Sequence, residues 1–457
     1  MLNIKRANFT EGAIFSKMMV FAFPIMITGI LQLLYNSADH IIVGRFSGDP
    51  NALGAVGCTT STVNLIVSML SGFAAGTSVI ISQLHGAKDN SELSKATHTV
   101  LTTGAIGGVF LLLLGEFVAP YMLTVLNTKP DLFSSSLLYI RIIFLGIPGL
   151  AIFNLGAAIE RSIGDSKTPL IILTISGILN VLLNLFFVIV LGMSVEGVAI
   201  ATIISQYASG IAIIYMLKRA DGPHQFNFKE IGIDGPLLMK VLRVSIPSAI
   251  QTSLFSISTI LTQNAINSFT TDEVSGSAIA QTIEGFIYIA LNSFYTVTLT
   301  FVGQNYGAKK ANRVKKSVFY SIIQVAFLGV VLGFVGCLFA KPLTSIYLDP
   351  TADNVNSILS ASVTRINVIM PFYVFCGLME TFTGFLRGCG YSLTPMISSV
   401  FCICVIRAMW VLYVFPLPLF NNPRGLYSIF PISWILASLF LGIMCLLVYR
   451  KIKSDLC

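Results

Sequence analysis

The chain has 457 residues, of which 55% are apolar and 11% charged, with a formal net charge of +8. Soluble globular chains carry about 25% charged residues, so this composition excludes an ordinary soluble protein. The basic excess is read as belonging to the loops of a membrane protein rather than to a nucleic-acid interface.

In chain order, Lys5, Arg6 and Lys17 precede an apolar run from Met18 to about Val43. That run is much longer than the roughly 7–15 apolar residues of a signal peptide. It is interrupted by Pro24 and lacks a small-residue cleavage pattern, so it reads as a retained first helix. A span needs about 20 mainly apolar residues. Twelve stretches qualify: 16–44, 52–82, 96–119, 132–159, 168–191, 196–217, 240–268, 275–303, 316–340, 358–386, 394–417 and 425–449. The predicted fold class is an all-α integral membrane protein with twelve transmembrane helices. The cysteines fall mostly inside these runs, with no C-x-x-C and no Cys/His cluster, which supports neither a disulfide framework nor a zinc site.

Orientation follows from where Lys and Arg fall. With a cytoplasmic N-terminus, 21 of the 28 basic residues lie in cytoplasmic segments. Arg45, Lys129, Lys341 and Arg424 lie opposite, and Arg141, Arg365 and Arg407 lie inside or at the edge of spans. Both termini are therefore expected inside.

The two halves repeat. Ser82-Gln83-Leu84-His85-Gly86-Ala87-Lys88 recurs around Gly303-Gln304-Asn305-Tyr306-Gly307-Ala308-Lys309. Arg161-x-x-Gly164-x-x-x-Thr168-Pro169 recurs as Arg387-x-x-Gly390-x-x-x-Thr394-Pro395, and Pro24 has a counterpart in Pro247. The common offset indicates one duplication. Each copy holds six spans, so the copies share orientation about a pseudo-two-fold axis along the membrane normal. The expected organisation is an N-terminal six-helix lobe at 1–218, a cytoplasmic linker at 219–239 and a C-terminal six-helix lobe at 240–457.

Ionisable residues deep in a bilayer are functional candidates by default. Asp39 continues a stripe of Gln32, Tyr35 and Asn36 at helical spacing. At about 1.5 Å per residue it lies roughly 33 Å along its helix from Lys17, in the outer half. Pro24, lower in the same helix, permits a bend and reads as a hinge. Asn180 and Asn184 on the fifth span and Thr202 on the sixth reach a similar depth, either as partners of Asp39 or in separate interhelical hydrogen bonds. Glu284 heads a stripe with Gln281, Tyr288, Asn292 and Tyr295. A carboxylate between aromatic faces suits an organic cation in a substrate cavity. Glu380 shares a face with Tyr373 and Arg387, so it either meets substrate or pairs with that arginine. Glu116 sits near an outer end, within reach of water.

Taken together, the Gly-Gln-x-x-Gly-Ala loop, the Arg-x-x-Gly-x-x-x-Thr-Pro pair and the first-span aspartate resemble the multidrug and toxic compound extrusion (MATE) transporters. The likeness is strongest to their bacterial NorM- and DinF-like members and covers nearly the whole chain. The resemblance implies two lobes around a V-shaped central cavity, alternating access, and drug export driven by sodium or protons across a bacterial plasma membrane. It implies a cation site at Asp39, Asn180, position 184 and Thr202. Position 184 departs from the family's usual aspartate, leaving one carboxylate where two are usual.

The expected function is thus a secondary antiporter for small amphipathic, often cationic compounds, acting as a monomer. No cofactor is expected beyond Na+ or H+ as coupling ion, and no nucleic-acid partner. The principal alternative is a flippase for a lipid-linked substrate, which would need a cationic cavity. An intramembrane enzyme is a weaker one, because neither H-E-x-x-H nor an Asp-rich metal motif occurs. ATP drive lacks its Walker motif.

Overall fold

The computed structural model describes residues 7–48, 52–125, 128–348, 350 and 354–456. Among these, every regular element is helical. In a bilayer core only a helix or a closed barrel satisfies its own backbone hydrogen bonds, and long apolar runs between short loops choose the helix. In order, the spans are Ile14–Phe46, Ala52–Ala87, Asn90–Val125, Pro130–Ser162, Lys167–Val190 and Val195–Lys218 in the first half. Gly235–Ile266, Thr271–Gly307, Ala311–Leu338, Val355–Gly388, Leu393–Val414 and Pro423–Ser454 follow in the second. Each of the twelve expected stretches is recovered, mostly with a few extra residues at its ends.

The fourth span is two helices, Pro130–Leu145 and Ile147–Ser162, meeting at 46°. Pro148 removes a backbone donor just after Gly146. In the tenth span Pro371 sits in a short 3-10 turn, Met370–Phe372, at the matching place. Pro24, by contrast, leaves the first helix unbroken from Ile14 to Phe46. The Thr28 hydroxyl donates to the Pro24 carbonyl at 2.7 Å.

The repeated motifs are helix-ending devices. Lys88 (φ 58°) and Lys309 (φ 55°) are left-handed at equivalent positions, each just beyond a long helix. Gly164 (φ 96°) and Gly390 (φ 91°) do the same in the second motif, a conformation in which a side chain is strained. Asp165 then starts the fifth span. Its Oδ1 accepts from the backbone N–H of Lys167 and Thr168 at 2.9 and 3.0 Å, and its Oδ2 from the Thr168 hydroxyl at 2.6 Å.

By internal contacts the chain divides into two compact units, Met1–Asn8 with Phe23–Ala249, and Phe9–Ala22 with Ile250–Cys457. The divisions fall beside Pro24 and Pro247. In the first unit the fourth and sixth spans cross closely: a Cβ added at Gly210 would lie 2.8 Å from the Gly149 carbonyl oxygen. Small residues at such crossings are how membrane helices gain packing contact. The stretch 219–239 is docked rather than loose. Phe226 is buried and stacks on His98 at 5.3 Å, and the Asn227 N–H donates to His98 Nε2 at 2.9 Å.

In the second unit the eighth and tenth spans are the central pair. A Cβ at Gly384 would lie 2.7 Å from the Tyr295 carbonyl oxygen. The segment that starts at Phe9 is held here as well. Phe9 is fully buried and stacks on Phe301 at 4.0 Å. Its carbonyl accepts from Asn305 Nδ2 at 3.2 Å and Arg313 Nη2 at 3.0 Å, and Lys310 donates to the Thr10 carbonyl at 2.9 Å.

Candidate functional site

In the first unit, the first, fifth and sixth spans bring four expected residues together. Asn184 Nδ2 donates to Asp39 Oδ1 at 2.5 Å and to Asn180 Oδ1 at 3.3 Å. Asn180 Nδ2 reaches Thr202 Oγ1 at 3.4 Å, and the Thr202 hydroxyl is also within hydrogen-bonding reach of Asp39. The reason is local periodicity. Asn180 and Asn184 stand one turn apart on one helix face, and Asp39 and Thr202 meet that face from two neighbouring helices. Both asparagines are buried.

Apolar packing surrounds this set. Ile42, Val43, Tyr139, Val188 and Val198 form one cluster, with Val181 and Leu185 against it. Directly after Asn184 the fifth span widens into a π-helical turn, Phe186–Val190, a feature that recurs at functional sites. Tyr35 lies over Gly177 on the fifth span, where no side chain fits, and its hydroxyl donates to the Thr174 carbonyl at 3.3 Å. Gln32 and Asn36, from the same expected stripe, are exposed.

The hydrogen-bond inventory shows what this set can hold. Both N–H groups of Asn184 are used, while its Oδ1 is buried without a partner. The Thr202 hydroxyl has one proton and donates to the Val198 carbonyl at 2.9 Å. Four oxygen-bearing groups are thus available: one carboxylate, two amides and one hydroxyl. A turn of the Asn184 amide would present its oxygen to Asp39, which is favourable only when a proton or a cation lies between them. An oxygen-only set with a single negative charge suits a proton or a monovalent hard cation such as Na+.

The second unit departs from the sequence expectation. Glu284 was expected to face a substrate cavity; instead it is 5% exposed and paired with Arg365, itself 3% exposed. Arg365 Nε and Nη2 donate to Glu284 Oε1 and Oε2, both at 2.9 Å, and Nη1 donates to Ser277 Oγ at 2.8 Å. The stripe splits because Glu284 turns inward to the tenth span while Tyr288, one turn on, is 39% exposed.

Glu380 is the carboxylate on the more open side. Its Oε1 accepts from the Tyr288 hydroxyl at 3.4 Å, and Asn292 Nδ2 donates to the same hydroxyl oxygen at 3.4 Å. The pairing of Glu380 with Arg387 is not formed. Arg387 is buried and donates to Tyr295 Oη at 2.5 Å and Gln251 Oε1 at 2.6 Å. Arg407, also buried, donates from Nε to Ser433 Oγ at 3.1 Å and stands 4.6 Å from the centre of the Phe430 ring. Glu116 pairs with Arg141 at 3.5 Å near the unit's surface. Sequence reasoning missed the Glu284–Arg365 pair; its signal was Arg365 itself, a charge inside a span that has to find polar partners there.

The chain is similar to known proteins along most of its length. The MatE family model matches the chain twice, over residues 24–186 and 247–412, one copy in each half. The "Probable multidrug resistance protein YoeA" of Bacillus subtilis is 25% identical over 403 residues, covering 86% of this chain and 85% of that protein. The "Probable multidrug resistance protein NorM" of Thermotoga maritima is 25% identical over 395 residues, covering 84% and 82%. The "Multidrug export protein MepA" of Staphylococcus saprophyticus is 22% identical over 427 residues, covering 93% and 91%. Among solved structures, a MATE protein in complex with MaL6 superposes with a TM-score of 0.90 at 20% identity, covering 99% of this chain and all of that one. An outward-facing multidrug resistance MATE transporter of the MOP superfamily gives 0.89 at 21% identity, covering 99% and 100%.

Proposed function

This chain belongs to the MatE family, and on that premise we propose that it is a secondary antiporter exporting small amphipathic, often cationic compounds in exchange for Na+ or H+. The observation that carries the reading is the convergence of Asp39, Asn180, Asn184 and Thr202 in the first unit. Its relatives carry multidrug export names over nearly their whole lengths, which supports the same transport class.

The mechanism follows from the cost of charge. A carboxylate met only by neutral side chains has to be neutralised before apolar packing closes around it. A proton or a sodium ion does this, and either favours the conformation that keeps it dry. Ion capture and substrate release are then coupled through one equilibrium, whose shift is set by the ion's differential affinity for the two states. The segment leading into the first helix is held by Asn305, Lys310 and Arg313, and the helix carries Asp39 in its outer half. Pro24 lies between, where the missing backbone donor makes bending cheapest.

Glu380 with Tyr288 and Asn292 is the best-supported substrate contact in the second unit, being an acceptor flanked by an aromatic and not held by an arginine. Gln32, Tyr35 and Asn36 are assigned to the substrate path in the first. The flippase alternative needs a cationic surface, and Arg365, Arg387 and Arg407 of the second unit are each buried against side chains of that unit. Both termini are assigned to the cytoplasm from the distribution of Lys and Arg.

The test is uptake of a fluorescent organic cation into inverted vesicles under separately imposed sodium and proton gradients. Accumulation driven by one of them is expected. Equal accumulation with no gradient would refute antiport.

A further inference from the structure

The second unit leaves an apolar groove of about 360 Å3 between its ninth, tenth and twelfth spans. Its lining includes Phe382 and Phe385 of the tenth span, Phe319 of the ninth and Leu446 of the twelfth. Gly442 makes a notch in the twelfth. A Cβ added there would meet the Phe382 ring at 3.4 Å, an ordinary contact. Crowding therefore does not demand the glycine, and its bare backbone keeps the groove open.

The groove is polarised. Lys315, on the ninth span, is the one charged residue among those lining it, and Tyr449 of the twelfth span lines it too. Both lie toward the same end of the unit, Lys315 near the start of its helix and Tyr449 near the end of its own. From Lys315 to Ile322, and from Tyr449 back to Gly442, the groove runs about 10 Å along each helix. Lys316, Arg450 and Lys451 are exposed at that same end. A long apolar slot with a lysine and a tyrosine at one end has the polarity of a membrane lipid, the ring at headgroup level and the ammonium reaching the phosphate.

We propose that this groove binds an anionic phospholipid, with one acyl chain along Phe382, Phe385 and Gly442 and the headgroup phosphate on Lys315. An anionic headgroup is selected because the rim is basic and a zwitterionic headgroup carries its own ammonium against it. Basic pockets between spans on a cytoplasmic side bind anionic headgroups on this principle. The proposal is independent of which ion drives transport.

The test is native mass spectrometry of the full-length purified protein with equimolar phosphatidylglycerol and phosphatidylcholine of identical chains. The wild type is expected to retain phosphatidylglycerol preferentially. Lys315→Gln, an exposed substitution, should reduce that preference about fivefold and leave phosphatidylcholine retention unchanged. Gly442→Leu, which fills the notch, should reduce retention of both lipids, with Gly442→Ala as the folded control that behaves as wild type. Equal retention of the two lipids by the wild type, or an unchanged preference in Lys315→Gln, would overturn the proposal.

Discussion

Arg365 grips Glu284 through two parallel hydrogen bonds of 2.9 Å inside the second unit, with both residues at least 95% buried. A pair of this kind has already met its desolvation cost, so removing one partner strands the other. Glu284→Gln is therefore expected to destabilise the protein by about 3–5 kcal/mol. Replacing both residues with apolar ones of similar size, Glu284→Met with Arg365→Leu, should recover most of that loss. Thermal unfolding in detergent checks both. A stable Glu284→Gln protein with a selective defect in cation export would instead return Glu284 to the substrate path.

Glu380 carries the opposite expectation. It is half-buried and bonded to a phenol rather than to a guanidinium. Glu380→Gln should weaken export of cationic compounds more than neutral ones, by about 1–3 kcal/mol in apparent affinity, with unfolding temperature unchanged. Competition assays with matched cationic and neutral substrates read the difference; equal losses for both classes would make Glu380 structural.

The spans were legible because a bilayer gives apolar sequence one outlet, and their true ends extend past the apolar runs where helices leave the membrane. The Asp39 set was legible too: an i, i+4 asparagine pair marks one helix face, and few polar groups compete for it. The Glu284–Arg365 pair was not. The eighth span is apolar on most sides, so periodicity does not say which face is buried, and the partner lies 81 residues away. Nor does the sequence indicate that Phe9–Ala22 joins the second compact unit, since that depends on side-chain contacts with Asn305, Lys310 and Arg313.

Orientation is tested by thiol accessibility in a cysteine-free background. A cysteine at Asn421, between the last two spans, is expected to react with an impermeant reagent from outside intact cells. One at Asn312, beside the Lys309–Lys310 turn, is expected not to react. Labelling at Asn312 would reverse the topology and place Asp39 in the inner half. The other outer-loop position of interest, Asn127, lies outside the described residues.

Asn184→Asp places a second carboxylate against Asp39 where an amide donor now sits. Two carboxylates sharing one site hold a cation between them more tightly than one does. Transport should persist, with its sodium or pH dependence displaced toward lower cation concentration. An unchanged dependence would mean that position 184 does not contact the coupling ion.

The most direct measurement is gradient-driven uptake of a fluorescent cation into inverted vesicles bearing Asp39→Asn. The substitution keeps the shape of the side chain and one acceptor oxygen but removes its charge, mimicking the neutralised state that a bound ion would create. The expected result is a protein with wild-type unfolding temperature and substrate binding whose uptake no longer responds to either a sodium or a proton gradient. Full gradient-driven uptake by Asp39→Asn would contradict the account and move coupling to the second unit, with Glu380 as its first candidate.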